Sequence, residues 1–173
     1  HAVLLSDSGL IADWPALERR VMADPRVVAL SPYVRASGML TRKGKVTGTI
    51  IEGIDPELES AVTDLASYLP PGLLQSLDAN RGDVLLGDSL AKKLAAQAGD
   101  QVTLVVPQWD EQGRALAPRY ERLRVAGSFH TGMHQYDARL VVTHIDHARR
   151  LFHLGSGISG VRTRLKDPAI APQ

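Results

Sequence analysis

The stretch 82–129, GDVLLGDSLAKKLAAQAGDQVTLVVPQWDEQGRALAPRYERLRVAGSF, constrains this chain more than any other part of it. Residues 84–86 read as a short buried strand. Leu90, Leu94 and Ala98 share a face of a helix starting near Asp88, with Asp88 or Ser89 as its cap and Gly99 in the left-handed position past its end. Residues 101–106 and 123–129 are apolar strands, joined by a hairpin over 107–120. A strand, a short helix and two strands joined by a hairpin cannot pack as a helical bundle. They need a sheet, and the fold class this implies is α+β.

The flanking segments agree. Residues 2–6 read as a strand closed by a polar turn at 6–9. Asp13 and Pro15 open a helix over 14–23 with Trp14, Leu17 and Val21 on one face, and Asp24-Pro25 ends it. Residues 27–40 are strand-like with an interruption at Ser31-Pro32, and Arg42-Lys43-Gly44-Lys45 turns the chain into a second strand over 46–54. Asp55-Pro56 begins a helix with Leu58, Val62 and Leu65 on one face, and 68–80 is an irregular connection. A strand over 139–143, a helix with Ile145, Ala148, Leu151 and Phe152 inward and closed by Gly155, and a strand over 158–165 complete the pattern. Thr143 and Asp146 have the spacing of a capping box.

Composition narrows the function classes. Twenty basic and nineteen acidic residues leave a net charge of +1, far from the basic footprint of a nucleic-acid binder, and 5% aromatic residues offer little for base stacking. There is no cysteine, so disulfide frameworks, thiolate nucleophiles and cysteine zinc sites are absent. No apolar run approaches the roughly 20 residues of a membrane-spanning helix. Both ends are abrupt, and the chain reads as an excised piece of a longer protein.

Three motifs invite a catalytic or cofactor reading. Gly87-Asp88-Ser89-Leu90 carries the letters of a serine esterase, but a serine nucleophile needs a base and its orienter, and no Asp-x-x-His occurs anywhere. The better reading is a strand end followed by a capped helix. His130 and His134, and His144 and His147, have two-ligand metal spacing, but Gly132 argues against a helix at the first pair. The second pair projects to solvent beside Arg149 and Arg150, and no carboxylate cluster completes either set. Gly155-Ser-Gly157-Ile-Ser-Gly160 follows a helix and precedes a strand, the reverse of a pyrophosphate loop. No catalytic, cofactor or metal residue is assigned.

The hairpin over 107–120 is the remaining candidate. It is long for a connection of its kind and offers Pro107, Trp109, Arg114, Leu116, Pro118, Arg119 and Tyr120. Trp, Tyr and Arg are enriched at protein–protein hot spots, which makes it a candidate partner-binding element. An ordinary solvated loop, its tryptophan folded back on the sheet, fits the same letters.

An ordered set of segments resembles a known family. Gly82-Asp-Val-Leu-Leu-Gly87, Leu90-Ala91, Gly99-Asp100-Gln-Val-Thr-Leu-Val-Val-Pro107, Arg122-Leu-Arg-Val-Ala-Gly-Ser-Phe129 and Tyr136-Asp-Ala-Arg-Leu-Val-Val-Thr143 are similar to the periplasmic domain of the LolC/LolE family. These are membrane subunits of the ABC transporter that releases lipoproteins from the bacterial inner membrane. Ser31-Pro32-Tyr33-Val34 and Glu52-Gly53-Ile54-Asp55-Pro56 lean toward LolE. The resemblance implies a MacB-like periplasmic domain: a β-α-β half-module over 1–55, an inserted mixed α/β subdomain over 56–157 and a return strand over 158–173, with a second half-module beyond Gln173. It implies a place at the periplasmic face of the inner membrane, and no enzymatic activity. As partners it implies a second permease subunit, a cytoplasmic ATPase, lipoprotein cargo and the periplasmic carrier LolA, engaged through the hairpin. A MacB-type efflux or export permease shares the architecture, and a GDSL-like esterase is the reading from another class.

Overall fold

The computed structural model describes residues 2–5 and 10–167. The elements run β1 (Ala2–Leu5), α1 (Trp14–Met22), β2 (Val27–Arg42), β3 (Lys45–Ile54), α2 (Pro56–Val62), a 3-10 turn (Leu65–Tyr68), β4 (Asp83–Gly87), α3 (Asp88–Lys93), β5 (Gln101–Trp109), β6 (Ala115–Phe129), α4 (His134–Arg139), β7 (Leu140–His144), α5 (Ile145–Leu151) and β8 (Gly160–Leu165). All eight strands join one sheet in the order β1-β8-β2-β3-β7-β4-β6-β5. β5 returns to β2 through Met39↔Val105, Leu40↔Leu104 and Thr41↔Thr103, so six strands close into a ring with β8 and β1 as its extension. Closure leaves those six strands without a free edge at that seam.

Local chemistry accounts for most element ends. Asp13 Oδ1 accepts from Ala16 N–H at 3.0 Å and Pro15 fills the first turn of α1, as the sequence predicts. The β2–β3 hairpin turns on Lys43 and Gly44, both with positive φ (48° and 80°), the two-residue geometry that fits the twist of paired strands.

β2 does not break at Ser31-Pro32. Tyr33 C=O accepts from Ser159 N–H on the β8 side, so the backbone of Pro32 faces the opposite edge, where β3 has already ended at Ile54. The proline interrupts no ladder there, and the irregularity falls between Val27 and Ala29 instead. The turn expected at 6–9 lies outside the described residues.

Four further ends differ from expectation. Gly87, not Asp88 or Ser89, is the N-cap of α3, with no side-chain cap. The same helix closes at Ala95 (φ 50°), where Ala96 N–H donates to Ala91 C=O; Ala98 is exposed and Gly99 N–H donates to Val125 C=O. α5 is capped by His144, whose Nδ1 accepts from Asp146 N–H at 3.1 Å, and its left-handed end residue is His153 rather than Gly155. The helix α4, at Tyr136, was not expected at all. It leads straight into β7, which leaves Arg139 in the helix.

Strand alternation sorts side chains between cores. Val84, Leu86 and Val141 point into the ring with Leu40, Leu104 and Leu123, while Leu85 and Val142 point to a second cluster with Ile54, Leu74 and Phe129. A third cluster, Val34, Ala148, Ile158 and Val161, seats α1 and α5 against β2 and β8. Gly53 makes the α5 contact possible, because a Cβ there would lie 2.4 Å from Ala148 Cβ.

Candidate functional site: the β5–β6 ribbon

The segment read as a long loop is a β-ribbon. β5 and β6 pair antiparallel from Gln101↔Arg124 out to Trp109↔Ala115, leaving only 110–114 as the connection. In its inner half the ladder alternates as a half-buried sheet should: Val102, Leu104 and Val106 on β5, and Leu123 and Val125 on β6, are buried. Beyond Val106 no residue of the ribbon is buried.

Pro107 and Pro118 mark the change. The register shifts between Val106 and Gln108, opposite the stretch from Arg119 to Leu116, so both prolines sit in the bulge, where a missing donor is tolerated. The tip is tied by Asp110: its carboxylate accepts from Gln112 N–H (2.9 Å), Arg114 N–H (2.8 Å) and Arg114 Nε (2.6 Å), while Gly113 takes a positive φ. The Arg114 backbone N–H foremost holds the Asp110 carboxyl below the usual carboxylate range.

The candidate residues therefore part company. Trp109 and Tyr120 are each 65% exposed and Leu116 is 52% exposed, so the tryptophan does not fold back on the sheet. Arg114 is engaged with Asp110 inside the tip. Arg119 turns inward: its Nη1 contacts His153 Nε2, and its Nε and Nη2 are buried without a hydrogen-bond partner.

Register adds two residues the sequence reading missed. Met39 pairs with Val105 and Val105 with Tyr120, which places all three in one row on the same face. Val46 lies on that face too, opposite Thr41, so the same outer wall also carries exposed Met39 and Val46. No linear pattern could show this, because it depends on β5 closing onto β2.

Elsewhere the structure gathers charge. Arg162 bonds Glu59 Oε1 at 2.9 Å and also Glu52; Arg35 reaches Glu52 at 3.0 Å, and the Arg162 guanidinium lies 4.5 Å from the Tyr33 ring centroid. Burial pushes the Glu59 carboxyl up against the pull of Arg162 and the Ser31 hydroxyl. Burial also opposes the charge on Arg162, but Glu52 and Glu59 outweigh it and hold that pKa above its ordinary value.

The histidines also differ from expectation. His130 Nδ1 lies 3.1 Å from Asp88 and 3.2 Å from Asp137, so carboxylates from two helices do meet one histidine of the first pair. Gly87 brings them together: a Cβ there would lie 2.3 Å from Asp137 C=O. His147 is buried rather than projecting, because it falls on the inner face of α5 with Ile145, Ala148 and Leu151. Ser89 Oγ bonds Asp88 Oδ1 at 3.4 Å, and among the described residues it has no histidine partner.

The architecture is a ring of six strands extended by β8 and β1, with a ribbon that carries exposed Trp109 and Leu116 away from the core. The MacB-like periplasmic core domain model matches residues 6–173, and the chain belongs to that family. LolC of Neisseria meningitidis serogroup B, a lipoprotein-releasing system transmembrane protein, is 32% identical over 160 residues, covering 92% of this chain and 39% of that protein. LolE of Haemophilus influenzae is 24% identical over 173 residues, covering 97% of this chain and 41% of that protein. The chain thus spans about two fifths of these relatives, and the identities run against the expected lean toward LolE. Among solved structures, the extracellular domain of the ABC-type transporter YknZ aligns with a TM-score of 0.58 at 13% identity over 96% of this chain and 83% of that one. The periplasmic region of MacB from Actinobacillus actinomycetemcomitans aligns with a TM-score of 0.54 at 14% identity over 87% of this chain and 63% of that one. Both confirm the α+β, MacB-like fold. No helix among the described residues is long and apolar enough to cross a membrane.

Proposed function

We propose that this chain is the periplasmic domain of an inner-membrane ABC permease subunit that releases lipoproteins and hands them to a soluble carrier of the LolA kind. Similarity to LolC and LolE over more than nine tenths of the chain supports the assignment. The observation that carries the docking role is the outer half of the ribbon, a paired β-element that buries nothing of its own yet presents Trp109 and Leu116, with exposed Tyr120 just inward of the bulge. Aromatic anchors on a rigid support lose little conformational entropy on binding, which is how a small surface gains affinity. The domain works without catalysis, beside a second permease subunit and with a cytoplasmic ATPase reached through the parent protein. Isothermal titration of the domain with the purified carrier tests this. Alanine at Trp109, Leu116 and Tyr120 together is expected to weaken binding by at least about 2 kcal/mol; the same affinity in the triple variant would remove the ribbon from the interface.

A further inference from the structure

Behind the root of the ribbon, a cleft of about 270 Å³ opens between the Ala79–Gly82 turn, β6 and α5. Arg81, Arg122 and Arg150 line it, and His147 is part of its wall. The nearby carboxylates are already committed. Asp83 holds Arg81 (3.0 Å) and Arg124 (2.7 Å), Asp78 lies 3.8 Å from Arg81, and Glu121, itself on the cleft wall, is offset by Arg119 at 3.6 Å. Arg122 and Arg150 have no carboxylate partner among the described residues. Arg150 bonds the Ala79 carbonyl alone.

His147 supplies the second observation. It is 7% exposed, and its Nδ1 lies 2.7 Å from Thr143 Oγ1. That hydroxyl gives its single hydrogen to Asp83 C=O at 2.7 Å, so it accepts from His147 Nδ1–H. The tautomer leaves a lone pair on Nε2, which has no hydrogen-bond partner among the described residues. Nε2 faces the cleft at Gly82, where an added Cβ would stand 3.6 Å from it. Burial foremost, then the charge of Arg150, lowers the His147 pKa to about 4, so the ring is neutral and an acceptor at neutral pH.

A lone acceptor beside two uncompensated guanidiniums selects an unusual ligand. The anion must carry oxygens for the arginine forks and one O–H for the imidazole. We propose that this cleft binds a monoprotonated phosphoryl group, its hydroxyl donating to His147 Nε2 and its charged oxygens held by Arg122 and Arg150. Sulfate has the same shape and no proton to give, so it meets the lone pair unpaired. Inorganic phosphate and the headgroup of a phosphomonoester lipid such as phosphatidic acid share this chemistry.

The test is a phosphate titration of the whole domain near pH 6.5, read on the His147 ring by ¹⁵N NMR, with sulfate at matched ionic strength as a control. Saturable shifts with phosphate, at least about tenfold weaker with sulfate, are expected. Arg122→Gln, an exposed change that leaves the core alone, should weaken phosphate about fivefold or more. No saturable shift, equal response to sulfate, or an Arg122→Gln protein that binds as before would overturn the proposal. Vesicles of phosphatidylcholine with and without phosphatidic acid then separate the sources. Capture by phosphatidic acid that free phosphate displaces assigns a lipid headgroup. Phosphate binding without vesicle capture assigns a soluble phosphoryl ligand.

Discussion

The two halves of the β5–β6 ribbon share one ladder and differ in everything that holds them. The inner half buries Val102, Leu104, Val106, Leu123 and Val125 in the ring core and is tied through β5 to β2. The outer half buries none of its residues and rests on backbone pairing and the Asp110 tip. Stability is thus concentrated inward of the Pro107–Pro118 bulge, while outward of it no side chain is buried. A binding element can vary there without endangering the fold.

Substitutions should expose this gradient. Leu104→Ala, at a fully buried site, should cost about 3–4 kcal/mol in urea unfolding; a loss below 1 kcal/mol would mean the inner half is not the anchor. Next in size is His147, behind the ribbon root. Its folded pKa of about 4 lies below the usual 6.5, so the unfolded chain takes up the proton first. Stability is therefore complete above pH 6.5 and declines as pH falls toward 4, by on the order of 2 kcal/mol. His147→Gln should flatten that window, and a wild-type urea midpoint constant between pH 7 and pH 4.5 would contradict the assignment. Smallest of all, Trp109→Ala should change stability by no more than about 0.5 kcal/mol, since the ring is exposed.

Legibility in the sequence followed the same gradient. Where a signal is local, it was readable: the Asp13 cap with Pro15, the Lys43-Gly44 turn, and the apolar strands of the inner ribbon. The fold class followed from these. Features that depend on distant partners were not readable. Pro32 stays inside a strand because β3 stops one residue short of it. Ala95 takes the left-handed place that Gly99 was expected to fill, because the helix ends a turn early and Gly99 is drawn to Val125. His147 goes inward because the face of α5 is set by β2 and β3, and His130 meets Asp88 and Asp137 because Gly87 lets α4 close on α3. As for the candidate site, its residues all lie on one ribbon, but how they divide along it was not readable in the sequence. Arg119 turned toward His153, Arg114 toward Asp110, and Met39 joined from a strand some 80 positions earlier in the chain.

The most direct measurement replaces 107–118 with Asn-Gly, a two-residue turn that suits the Val106↔Arg119 pair, and titrates the shortened domain with the periplasmic carrier. Carrier binding should be lost while the urea midpoint stays that of the intact domain. Undiminished binding, or a domain that unfolds at clearly lower urea, would contradict it.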